Sequence, residues 1–303
     1  MKKISLPSNI NKDSIRSIII KFREYIKSPD EDKLLKIDMR MVEFVDPAGI
    51  VALNNLLRWS ENQTDDLQIK FILSLPESCP EKNKQAMEYL ADCGFFLNFG
   101  FQNPFKTPVL RNTMLKLKNI DSRKFEQWSA SDLKNWLRRQ TGRKNDFSSV
   151  SVAILEIFNN ISDHSKQTVG SIYGQFYPKI NKVIIAVSDF GIGIPSSIRE
   201  NFKEKNSLDD NKLIEYALKE GISSRSVPQN RGAGLSNIIN TITSNNVGEF
   251  TIISNCGKVR VLDGEIKESI ILEQPYLGTF FEIIIDTSNE HLYDFEEEEE
   301  FTW

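Results

Sequence analysis

Three segments of the chain combine residue types that do chemistry together. Within Glu156-Ile-Phe-Asn-Asn-Ile-Ser-Asp-His164, Glu156, Asn160 and Asp163 fall at i, i+4 and i+7, on one stripe of a helix. A carboxylate, an amide and a second carboxylate in a row suit a hard cation that keeps several waters and takes phosphate oxygens as further ligands. Asn160 is then a Mg2+ ligand, and Glu156, one turn away, polarises a water or a hydroxyl; a solvated helix face has the same pattern. In the second segment, Asp189 follows the apolar run Val-Ile-Ile-Ala-Val-Ser188 and precedes Gly191, Gly193 and Ile194. A carboxylate there can accept from an exocyclic amine such as that of adenine, and glycines let backbone approach a flat base. An ordinary Asp-x-Gly turn also fits. The third, Arg231-Gly232-Ala-Gly234-Leu235, leads into a helical pattern, and glycine-rich backbone entering a helix presents N–H groups to phosphate. By itself this third segment is a weak signal.

The elements that must hold these residues are legible from periodicity. Ile154, Ile157, Phe158 and Ile161 recur at helical spacing and predict a helix over 150–161 with one face on a core. Residues 182–188 read as a buried strand, with Asp189 at the carboxyl edge where open α/β sheets bind ligands. Leu235, Ile238, Ile239 and Ile242 predict a helix after the glycines. Strands are expected at 249–254, ending in a turn at Gly257, and at 278–285. A dinucleotide fingerprint fails, because Ser196 occupies the third glycine position and Pro195 interrupts, and no phosphate-binding loop of the G-x-x-x-x-G-K-[ST] type occurs. Residues 196–230 are expected to form a lid containing a helix over 213–219. Within that lid, Ser223 and Ser224 beside Arg225 can contact β- or γ-phosphate on closure, or form an exposed turn.

The first hundred residues read as a separate unit. Helices are expected over 11–26, within 45–59 after an opening turn, and over 81–92; strands are expected over 33–39 and 67–75. This alternation predicts a small α/β layer with a parallel or mixed sheet. The organisation is therefore 1–100, 104–289 and an acidic tail, 290–303, whose glutamates are punctuated by Phe295, Phe301 and Trp303. Such a tail is solvated or docks on a partner.

Composition sets limits. A chain of 303 residues, 40% hydrophobic, can bury two cores. The net charge of -4 argues against nucleic acid as the main partner, and the cluster Arg138, Arg139, Arg143 and Lys144 reads as a solvated helix end. Cys79, Cys93 and Cys256 have neither metal-ligand spacing nor an even count, so reduced thiols and a cytoplasmic setting are expected. Apolar runs are short and broken by charge, so neither a signal peptide nor a membrane span is expected.

Taken in order, the three segments resemble the N box and glycine boxes of the gyrase, histidine-kinase and MutL-type (GHKL) ATPase superfamily, with Gly278-Thr279 similar to its G-T motif. The resemblance covers roughly residues 104–286. It implies a two-layer α/β sandwich that binds ATP and Mg2+. Glu156 would be its catalytic base, Asn160 the magnesium ligand and Asp189 the adenine partner, with Gly191 and Gly193 as the base-side loop. Gly232 and Gly234 would form the phosphate-side loop, and Thr279 would reach adenine through water. Asp163, Ile194, Ser223, Ser224, Arg231 and Leu235 complete the expected nucleotide contacts.

Residues 37–50, Ile-Asp-Met-Arg-Met-Val-Glu-Phe-Val-Asp-Pro-Ala-Gly-Ile, are similar to the signature of STAS domains. The phosphorylatable serine of anti-sigma-factor antagonists is replaced here by Pro47, so the unit reads as a docking or regulatory module. The E-x-x-x-N-x-x-x-H spacing ending at His164 is similar to that of anti-sigma-factor serine kinases. The only other histidine, His291, is near the tail, which excludes a self-phosphorylating sensor kinase. Three functions stay open: a slow ATPase whose lid switches a protein contact or self-association, a serine/threonine kinase acting in trans, and an ATP-binding module without turnover.

Overall fold

A computed structural model of the chain describes residues 3–28, 33–102, 104–119, 128–142, 147–164, 169–219, 235–243, 247–290 and 292, without the side chains at 130, 149, 158–164, 237 and 238. The N-terminal part contains β1 (Lys3–Ser5), β2 (Asn9–Ile10), α1 (Ile15–Lys27), β3 (Leu34–Asp38), β4 (Phe44–Val45), α2 (Pro47–Gln63), β5 (Gln68–Ile72) and α3 (Glu81–Asp92). Its sheet has the order β1-β3-β5 and is parallel throughout. α1 starts later than residue 11 because the Asn11 side chain accepts from the Asp13 and Ser14 N–H groups, both at 3.0 Å, which folds 11–14 into a polar turn. α2 starts at Asp46, whose carboxylate accepts from Gly49 N–H at 2.7 Å. Pro47 occupies the first turn, where no intrahelical donor is lost.

The second part contains β6 (Met114–Asn119), α4 (Lys134–Thr141), α5 (Ser148–His164), β7 (Gly170–Tyr177), β8 (Lys182–Asp189), α6 (Ile194–Asn201), α7 (Asp210–Ala217), α8 (Leu235–Thr243), β9 (Gly248–Leu262) and β10 (Glu265–Asp286). The sheet order is β6-β7-β8-β10-β9, every pairing antiparallel. Among the described residues the fold is thus mixed α/β, with a parallel three-stranded sheet, a parallel pair β2-β4 and a larger antiparallel sheet.

Two expectations change here. Asp189 ends its strand as expected, but the carboxyl-edge rule for parallel sheets does not apply to an antiparallel one. The expected turn at Gly257 lies inside β9, and the hairpin turns instead at Asp263 and Gly264, both at positive φ. Gly257 lacks a side chain for another reason: a Cβ there would lie 2.7 Å from the Asn211 nitrogen on α7.

Side chains alternate across β8 and β10. Val183, Ile185, Val187, Phe281, Ile283 and Ile285 share a core with residues of α4, α5 and α8. Ala186, Phe190, Tyr276 and Phe280 face the other way, into a core that includes Ile50, Val51, Leu53 and Leu57 of α2. α2 therefore lies between the two sheets, packed on β7 and β8, and the N-terminal unit shares one hydrophobic core with the second sheet.

Polar contacts fix that packing. Asn54 and Asn55 are 0% exposed. Asn54 Nδ2 donates to Asn119 Oδ1 at 2.9 Å and Asn54 Oδ1 accepts from Asn98 Nδ2 at 2.9 Å. Asn55 Nδ2 donates to the Ser188 carbonyl at 2.9 Å while its Oδ1 accepts from Ser171 Oγ at 2.8 Å. Asn119 pairs with Ser171 and Ser171 with Ser188, so two consecutive amides of one helix bind one rung of three strands. Lys12 pairs with the buried Glu282, and Tyr173 Oη donates to Tyr89 Oη of α3 at 2.9 Å. The connection between the parts is fastened to Asp92, which accepts from Lys106, Val109 N–H and Arg111. Among the described residues no helix is long and apolar enough to cross a membrane.

Truncating the shared layer should be costly. Leu53→Ala removes a fully buried side chain from α2 and is expected to lower stability by ~2–5 kcal/mol. Chemical denaturation monitored by circular dichroism checks this.

Candidate functional site

The rungs of the larger sheet on its helix-covered face give the site away. Ile172, Val187, Phe281 and Ile252 pair in sequence across β7, β8, β10 and β9, and all four are apolar. One step further along, the rung is Gly170, Asp189, Thr279 and Ser254. Where every neighbouring residue is hydrophobic, this end row presents a carboxyl, two hydroxyls and a glycine. Asp189 is 4% exposed and Ser254 fully buried.

These groups hold one another. Asp189 Oδ1 accepts from Gly191 N–H at 2.7 Å, and the Thr279 backbone N–H also stabilises the carboxylate. Ser254 Oγ donates to the Gly278 carbonyl at 2.9 Å, lies 3.1 Å from Thr279 Oγ1 and accepts from Ile194 N–H at 2.9 Å. Burial outweighs the two backbone donors, and the Asp189 carboxyl is pushed up to about 7. The corner is built around two glycines at positive φ, Gly193 at 83° and Gly278 at 75°. A Cβ on Gly193 would lie 2.5 Å from Asn255 Oδ1, and one on Gly278 would lie 2.4 Å from the Asp189 carbonyl and 2.6 Å from the Gly191 nitrogen. β10 can approach the β8 end this closely only because Gly278 has no side chain, and Gly193 can approach β9 for the same reason.

The structure thus brings Asp189, Gly191, Gly193, Ile194 and Thr279 into one corner. Glu156 is half-buried on α5, a helix that shares its core with Val187 and Phe281 directly below Asp189 and Thr279. Asn160, Asp163 and His164 continue α5 through its last turns, and their side chains lie outside the described residues. Leu235 begins α8, which packs along α5. Ser223, Ser224, Arg231, Gly232 and Gly234 lie outside the described residues, as does the last part of the expected lid, 220–230. Its first part is α6 and α7, with Asn255 Nδ2 donating to Ser196 Oγ at 2.9 Å.

Ser254 is a neighbour of these residues that site assignment by sequence passes over. A signal for Ser254 exists, since Ser254-Asn255 interrupts an apolar strand. Its partners, however, come from residues 194, 278 and 279. Among the described residues there is no group of three His, Cys, Asp or Glu side chains that could hold a metal ion. The cysteines are unpaired, and burial pushes the Cys93 thiol up to about 12, which makes it inert. Comparison with known proteins finds no family model that matches the chain and no curated protein that matches its sequence.

The raised Asp189 carboxyl has a sign that can be measured. The folded chain holds this proton more tightly than the unfolded chain, so the contribution is full below the ordinary carboxylate value of about 3.9 and is lost as pH rises through about 7. Between pH 5 and pH 8 the loss is on the order of 2–3 kcal/mol. Asp189→Asn should therefore show a shallower fall in stability over that interval, read by denaturation at each pH. Gly278→Ala should cost about 1–3 kcal/mol from backbone strain and the displaced β8 carbonyl, measured in the same assay.

Proposed function

We propose that the chain is an ATP- and Mg2+-binding regulatory protein, a slow ATPase of the GHKL type whose nucleotide-dependent closure changes a protein contact. The observation that carries the reading is the buried Asp189 carboxyl at the end of an apolar strand, held by Gly191 and Thr279 beside a glycine at positive φ. A buried carboxyl whose two backbone donors do not fully offset its desolvation is costly, and a ligand amine that also donates to it would offset that cost. Gly193 and Gly278 let the surrounding backbone close tightly around that carboxyl.

In this reading each residue has one task. Asp189 accepts from the adenine exocyclic amine. Glu156 takes a proton from the attacking water, a role favoured by a half-buried carboxylate on a helix bordering the same core. Asn160 would hold Mg2+, which when bound offsets the negative charge of the phosphates. The glycines at 232 and 234, with Arg231, Ser223 and Ser224, would serve the phosphates. The docking partner of the N-terminal unit or the acidic tail would be a protein.

Calorimetry tests the base assignment. Asp189→Asn should weaken ATP binding roughly ten- to a hundredfold through loss of a charge-assisted hydrogen bond, and unchanged affinity would sink it. Glu156→Ala should leave ATP binding within a small factor while lowering turnover ~10²–10⁴-fold. Incubation with γ-labelled ATP then separates the outcomes: label released as phosphate supports the ATPase, whereas label on a separate protein makes the chain a kinase.

A further inference from the structure

Asp189 is gripped from both sides of the sheet, and the grip on the far side comes from the N-terminal unit. Along β8 and just past it, Val187 and Asp189 face the helix-covered side, while Ser188 and Phe190 face α2. Each of those two neighbours of Asp189 is held there. Asn55 Nδ2 donates at 2.9 Å to the Ser188 carbonyl, which belongs to the peptide group that carries the Asp189 nitrogen. Ser188 Oγ is 2.6 Å from Tyr276 Oη. Phe190 stands edge-on to Tyr276, with ring centroids 5.7 Å apart, and edge-on to Trp59 of α2 at 6.5 Å. Asn55 is itself immobilised, since its Oδ1 accepts from Ser171 on β7.

A fully buried amide in an apolar helix is unfavourable unless its hydrogen bonds are all made. Here they are made to backbone and side-chain atoms on the strand that begins at Gly170 and the strand that ends at Asp189. A leucine would have filled the same space and packed the same core. What the amide adds is direction: it fixes the orientation of one particular peptide plane, and so the position of the next side chain. Precision of a few tenths of an ångström at a carboxylate matters for recognition by hydrogen bonding, whose strength falls steeply with misalignment.

We infer that Asn55 is a positioning residue for Asp189, and that through it the N-terminal unit sets the base selectivity of the nucleotide site. The inference rests on the reading of Asp189 as the adenine partner. It turns the N-terminal unit from an attached module into a structural part of the site. Anything that shifts α2, including a partner bound to the N-terminal unit, acts on base recognition through a single hydrogen bond. Such control needs a difference in affinity between the two positions of α2, and misalignment of Asp189 supplies it.

The test compares two changes in the same buried layer, in the full-length chain. Asn55→Leu removes the bond to Ser188 together with the one from Ser171, whereas Ser171→Ala removes the Ser171 hydroxyl contacts to Asn55 and to the Val51 carbonyl and keeps the bond to Ser188. Both should lower the melting temperature. Calorimetric affinities for Mg-ATP and Mg-GTP then give the readout that general destabilisation does not move. Asn55→Leu is expected to reduce the preference for ATP over GTP about tenfold, chiefly by weakening ATP, and Ser171→Ala to leave that preference within about twofold of the parent. Trp59→Leu, at a half-buried position, is the second variant should Asn55→Leu fail to fold, and is expected to move the ratio in the same direction. If Asp189→Asn weakens ATP but the folded α2 variants keep the parent's ratio, the positioning role is overturned while the adenine assignment stands. If Asp189→Asn itself changes nothing, the adenine assignment falls and the positioning role falls with it.

Discussion

Most of this molecule depends on α2 being buried on two sides. One of its faces completes the core of the parallel sheet, and another covers the antiparallel sheet that α4, α5 and α8 leave open. Two consecutive buried amides then fix its register on β6, β7 and β8. Apolar contact alone would hold the layers together but would tolerate sliding. Two amides that must each find partners select one alignment, because any other leaves buried polar groups unmet at a cost of ~1–3 kcal/mol each. Lys12 with Glu282, and Tyr89 with Tyr173, add polar contacts further along the same interface.

The corner at Asp189 works against that stability. Its carboxyl is buried with backbone donors that do not fully offset desolvation, and two residues sit at positive φ so that strands can meet there. Groups held in this way are maintained by the surrounding structure rather than by their own preference. In this molecule the surrounding structure is the apolar rung beneath, Ile172 with Val187, Phe281 and Ile252, and α2 on the opposite side. Asp46, where α2 begins, shows the same trend, its carboxyl pushed up to about 6 by burial despite the Gly49 N–H.

Local periodicity made much of the fold readable. α3 occupies the expected 81–92, and β8 and the start of α8 fall where the apolar patterns put them, because each of these elements buries a face that its own sequence describes. Legibility failed where the reason for a residue lay elsewhere in the chain. Gly257 looks like a turn and is a place for α7 to approach; Asn11 looks like the first turn of α1 and is its polar lead-in. β6 and β7 were not foreseen, and of α4 only the basic end at Arg138 and Arg139 was; over β7, Gly170 to Tyr177 mixes Gly, Ser, Gln and Tyr among few apolar residues. Within the site, Asp189, Gly191, Gly193 and Thr279 were readable as motif positions. Their partner Ser254, and Asn55 on the far side, were not, because only the strand register and the sharing of α2 bring them there. Asn54-Asn55 inside the run from Ile50 to Leu57 was a visible anomaly, a polar pair in an apolar helix, but its meaning required the second sheet.

The central claim is that α2 binds both sheets into one structure, so that the N-terminal unit and the site beside Asp189 rise and fall together. Native-state hydrogen exchange of the full chain measures this directly, residue by residue, as a function of low denaturant. The account predicts that the amides of α2 and of β8 exchange with the same free energy and the same denaturant dependence, as parts of one cooperative unit. Exchange of α2 with the N-terminal strands at a lower free energy, while β8 stays protected, would show two independent domains and contradict it.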